Sequence, residues 1–143
     1  MIERYSRQAM KKVWSEDNAF DLWLRVEIAA CQAWSDLGVV HHEEMDLIKH
    51  ASFNRASYDK WFAETKHDVV SFTRAVAESL GPEARWIHYG LTSNDVKDTA
   101  LGNVGTAALT PSKADPLLAV PDAPLATSLG GTAAPRLVAP GTT

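Results

Sequence analysis

SEDNAFDLWLRVEIAACQAWSDLG, residues 15–38, decides the fold class. Ser15 is a good N-cap residue. Glu16 and Asp17 place negative charge in the first turn, where the free N–H groups of a helix carry a partial positive charge. Phe20, Trp23, Leu24, Ile28, Cys31 and Trp34 then recur every three or four residues, the period of one helix face. Gly38 follows, and glycine readily takes the left-handed conformation that ends a helix. The stretch is predicted as a long amphipathic helix whose apolar stripe must be covered by other elements.

The flanking sequence supplies more helices. Ser6 can cap a short segment from Arg7 to Trp14. HEEMDLIKHA, residues 42–51, reads as an amphipathic turn or two, and another helix is predicted over 55–65. Asp68 is the expected N-cap of a helix carrying Val69, Phe72, Val76 and Leu80, closed by Gly81 and Pro82. Trp86 to Leu91 reads as a connecting loop, and a last helix starts at Thr92 or Ser93. No segment reads as a strand, so the expected fold class is all-α.

The character of the chain changes after Gly102. All five Trp, all three Tyr and all four Phe lie in residues 1–102, whereas residues 103–143 contain no aromatic and six of the seven prolines. PLLAVPDAPLAT has proline too often for a helix and lacks the alternation of a strand. Such a segment buries too little apolar area to offset about 1–2 kcal/mol of backbone entropy per residue. Two units are therefore expected: a helical domain over 1–102, and a Pro/Ala-rich tail over 103–143 that is disordered or comes from outside the natural reading frame.

Composition limits the function classes. The chain has 143 residues, 45% hydrophobic and 22% charged, with a formal net charge of −4. That balance argues against a general nucleic-acid binder, which normally shows a basic face. Cys31 is the single cysteine, so no internal disulfide can form, and its place on the apolar stripe marks it as core. The start has no apolar signal-peptide region, and no run approaches the roughly 18 apolar residues of a membrane span. A cytoplasmic location is expected, with no membrane partner. His41, His42, Glu43 and Glu44 lack the spacing of a metal site, so no metal is expected.

Three clusters can carry chemistry, each with a plainer reading beside it. Arg4 and Tyr5 read either as solvated surface or as donors for a phosphate or carboxylate. Lys66, His67 and Asp68 lie where one helix ends and the next begins. They read either as a cap and exposed loop or as an anion site beside free helix N–H groups. Thr92 and Asp95 form a capping box with Asp in place of Glu. That is either a well-capped helix or a place where Thr92 and Ser93 meet an anionic ligand beside a titratable His88, with Gly90 permitting close backbone approach.

RYS at 4–6, KHDVVSFTRAVAESLG at 66–81 and WIHYGLTSNDVKDTALG at 86–102 together resemble the adenylosuccinate lyase branch of the fumarase/aspartase superfamily. The resemblance runs nearly collinearly over residues 1–102, and HYGLTS-x-DV-x-DTA is the most specific part. It implies an all-α N-terminal domain. It also implies β-elimination of fumarate from adenylosuccinate, giving AMP, and from the succinylated carboxamide intermediate of purine biosynthesis. Neither a metal nor an organic cofactor is implied. A base takes a proton next to a carboxylate and an acid protonates the departing nitrogen.

By the same resemblance Arg4 and Tyr5 contact the nucleotide, and Lys66, His67 and Asp68 form a binding segment. Thr92 and Ser93 hold the carboxylate end of the substrate. His88 assists binding or proton transfer, and His67 is a second supporting candidate. The family assembles as a homotetramer. Its base lies on a loop like GSSxMPxKxNP and its acid in a T-H segment, and these 143 residues hold neither an MP nor a TH dipeptide. The chain is thus expected to be inactive alone. The competing expectation is a non-catalytic piece that associates with full-length lyase subunits or binds nucleotide without chemistry.

Overall fold

The computed structural model describes residues 8–109. Among them the chain forms six α-helices: α1 (Gln8–Val13), α2 (Glu16–Asp36), α3 (His42–Ile48), α4 (Arg55–Thr65), α5 (Asp68–Ala77) and α6 (Ser93–Leu109). A 3-10 turn, Pro82–Trp86, links α5 to α6, and no strand occurs among the described residues. The all-α expectation holds. Of the expected Arg7–Trp14 segment, Gln8–Val13 forms the short α1, while Arg7 and the expected cap Ser6 lie outside the described residues.

α2 starts and stops as its sequence dictates. The Ser15 hydroxyl accepts the Asn18 N–H at 3.1 Å. At the other end Gly38 takes φ +76°, and the N–H groups of Gly38 and Val39 bond back to Ser35 and Trp34, both at 2.9 Å. This pair of bonds satisfies carbonyls that every helix end leaves open.

α2 is the wall shared by two apolar clusters. Phe20 and Cys31 face Met45 and Ile48 of α3, Tyr58 of α4 and Phe72, Ala75 and Val76 of α5. Phe20 stacks on Phe53 with centroids 4.5 Å apart, and Trp23 meets Phe72 edge-on at 5.4 Å. Leu22 and Val26, on another side of α2, pack with Val96, Ala100 and Val104 of α6 and Val13 of α1. Each fully buried large side chain contributes about 1.5–3 kcal/mol relative to exposure, so α2 is the element on which both α5 and α6 depend.

Two expectations change. Asp68 was expected to cap α5; the cap is His67, whose Nδ1 accepts the Val70 N–H at 3.3 Å. Asp68 is instead the first helical residue, with its carboxylate turned to other work. Lys66 permits this by taking the left-handed conformation at φ 55°, which ends α4 and turns the chain within two residues. Second, the helix that passes Gly102 continues to Leu109, into the expected tail. NVGTAAL at 103–109 contains no proline, and Val104 is buried in the second cluster, so nothing stops the helix there. The rest of the expected tail, 110–143, lies outside the described residues.

Candidate functional site

The site is built where α5 and α6 begin. Both starts lie in reach of one another because Lys97, in the second turn of α6, extends its ammonium to Asp68 at 2.6 Å. The Asp68 Oδ1 also accepts the Val69 N–H at 2.8 Å. Burial pushes the Asp68 carboxyl up, but the bond from Lys97, the Val69 N–H and the charges of Lys97 and His67 outweigh it and hold the group below its ordinary 3.8.

His67 stands beside this pair. Its Nδ1 is used as an acceptor by the helix cap, so in the neutral ring Nε2 carries the proton and is the donor left for other partners. Thr65 and the buried Ser71 brace the turn: their hydroxyls lie 2.7 Å apart, and the Ser71 hydroxyl also donates to the His67 carbonyl. Lys66 is exposed, with its backbone N–H on Phe62.

At the start of α6 the capping box forms in one direction. The Asp95 carboxylate accepts the Thr92 N–H at 2.7 Å. The Thr92 hydroxyl donates to the same oxygen at 2.8 Å instead of accepting an N–H. Those two bonds, with a smaller pull from a charged His88 ring, hold the Asp95 carboxyl below 3.8 against slight burial. Thr92 is exposed and Ser93 half-buried.

His88 reaches this corner on a strained backbone, at φ +67°, where a side chain other than glycine is rare. Glu27 holds it there. The Glu27 side chain is 0% exposed and spans two groups of His88, the backbone N–H and the ring Nδ1, each at 2.7 Å. Gly90 follows at φ +74°, where an added Cβ would stand 3.1 Å from the Trp34 ring; Trp34 Nε1 donates to the Tyr89 carbonyl at 3.1 Å.

A family model described as lyase matches residues 3–115. The chain belongs to this lyase family. This lyase chain is similar to the adenylosuccinate lyase of Bacillus subtilis (strain 168), with 54% identity over 102 residues, 71% of this chain and 24% of that protein. It is similar also to the adenylosuccinate lyase of Staphylococcus saprophyticus, with 51% identity over 105 residues, 73% of this chain and 24% of that one. The chain therefore spans 24% of the length of the curated relatives it matches.

In this lyase an ion pair joins Asp68, next to His67, to Lys97 of α6, the helix that starts at Ser93 just after Thr92, and His88 lies in the turn before it. Arg4 and Tyr5 lie outside the described residues. Two residues escaped the reading of the sequence. Glu27 carried a signal: it falls on the apolar stripe of α2, four residues after Trp23 and four before Cys31, where a charge is out of place unless a partner meets it. Lys97 carried none, since nothing local ties a lysine in α6 to an aspartate 29 residues earlier.

Proposed function

We propose that this lyase chain forms the nucleotide-facing wall of an adenylosuccinate lyase. The reaction is β-elimination of fumarate from adenylosuccinate, leaving AMP, and from the succinylated carboxamide of purine biosynthesis. The carrying observation is the convergence of the α5 start, the α6 start and His88, in a chain 54% identical over 102 residues to the adenylosuccinate lyase of Bacillus subtilis. In this reading Thr92 and Ser93 hold the substrate's carboxylate end at the helix start, where free N–H groups and the dipole favour negative charge. Lys66, His67 and Asp68 line the binding segment, and Arg4 and Tyr5 meet the nucleotide. His88 assists binding or proton transfer. The working form is a cytoplasmic homotetramer.

These residues bind and orient; the proton-transfer loops of the family have no counterpart in these 143 residues. A positioned acid or base each contributes about 10²–10⁴-fold, so the chain alone is expected to release no measurable fumarate. Binding is the direct test. Adenylosuccinate or AMP at a hundred times its dissociation constant adds about 2.7 kcal/mol to the stability of the folded state, read as a rise in melting temperature. Ser93→Ala is expected to shrink that rise. A folded chain whose melt ignores both nucleotides at millimolar concentration sinks the proposal.

A further inference from the structure

We propose that Glu27 is a positioning residue that fixes the tautomer of His88, so that Nε2 stands as an acceptor at the α6 start. The placement on the nucleotide wall rests on the function proposed above; the tautomer does not.

One carboxylate, fully buried, faces two donors of the same residue. The backbone N–H can only donate. The ring Nδ1 lies 2.7 Å from Glu27 Oε1, a hydrogen-bond distance; a carboxylate can only accept, so we infer that Nδ1 supplies the proton. In the neutral ring Nε2 is then unprotonated. The His88 side chain is 24% exposed, whereas the carboxylate that meets its Nδ1 is 0% exposed. Among the described residues Nε2 has no hydrogen-bond partner.

His67 makes the contrast. Its Nδ1 accepts a backbone N–H, so its neutral ring carries the proton on Nε2. His67 thus offers a donor on Nε2 and His88 an acceptor. Two chemically equal side chains are set to opposite roles by what each Nδ1 touches. The left-handed backbone of His88 supports the same reading. Strain of this kind persists where the surroundings over-determine it, and Glu27 grips both the backbone and the ring that the strain would otherwise release.

A structural role alone would need only the backbone bond, so the test separates the two. The whole chain is labelled with nitrogen-15, and two-bond proton–nitrogen spectra in alkaline buffer report which ring nitrogen bears the proton. Wild type is expected to show His88 protonated on Nδ1 and His67 on Nε2. In Glu27→Gln the amide oxygen serves the backbone N–H and the amide NH2 faces Nδ1. The His88 proton is then expected to move to Nε2, exchanging the two ring-nitrogen signals, while His67 stays as it was.

A wild-type His88 protonated on Nε2 overturns the proposal, and this holds even if Glu27→Gln fails to fold. So does a folded Glu27→Gln whose His88 spectrum is unchanged. Addition of AMP then tests the function separately: the expected tautomers with no nucleotide response support the positioning role and sink the binding proposal.

Discussion

Lys97 Nζ lies 2.6 Å from Asp68 Oδ2, and this ion pair ties the first turn of α5 to the second turn of α6. The side chains are 42% and 37% exposed, so water screens the attraction. Asp68→Asn and Lys97→Met are each expected to cost about 1 kcal/mol or less in urea unfolding. A double-mutant cycle should show positive coupling of about 0.2–1 kcal/mol that shrinks with added salt. Additive effects would mean the two helix starts are held together by packing alone.

The pH dependence follows from the same group. Asp68 titrates below 3.8 in the folded chain, as do Asp46 and Asp95, while Glu78 and Glu83 titrate below 4.5. A depressed carboxyl binds fewer protons folded than unfolded, so its stabilising contribution is present above the unfolded value and lost as pH falls through the folded one. Urea midpoints are expected to hold steady down to about 4.5 and then to fall. Asp68→Asn should flatten part of that fall; a midpoint that rises on acidification contradicts the assignment.

Cys31 sets the alkaline side. Burial first, then the nearby Glu27, pushes its thiol from 9.0 up to about 12. The Sγ is 3.3 Å from the Trp86 carbonyl, to which it donates. Because the thiolate is the nucleophile, Cys31 should resist an aromatic disulfide reagent in mildly alkaline buffer and react fully once urea unfolds the chain. Its stabilising contribution is present below 9.0 and lost as pH rises toward 12. Rapid labelling of the folded protein would place Cys31 at the surface.

Two glycines should respond oppositely to alanine. At Gly90 the φ of +74° and the Trp34 ring 3.1 Å from an added Cβ both oppose a side chain, so Gly90→Ala is expected to cost about 1–3 kcal/mol. Gly102 lies within α6 with nothing within 4 Å of an added Cβ, so Gly102→Ala should add about 0.5–1 kcal/mol. Melting temperatures of the two variants test the pair at once.

Much of the scaffold was legible because it is local. Ser15, the 3–4 residue stripe and Gly38 fix α2 within a few residues of where each acts, and the bounds Arg55–Thr65 of α4 coincide with its expected helix. The cap of α5 was misplaced by one residue for an equally local reason. Asp is the commoner cap, but Lys66 in the left-handed conformation offers the position to His67.

The sequence by itself therefore determined the all-α class, the helix starts that carry His67, Thr92 and Ser93, and the resemblance to a lyase family, because caps, period and motif are written within short spans. The tertiary structure alone decided the partners. Glu27 meets His88 across 61 residues and Lys97 meets Asp68 across 29. Such pairs exist only once two helices pack on α2, because burial leaves the Glu27 carboxylate with protein donors in place of water. No short-range pattern records which donor a buried carboxylate will find.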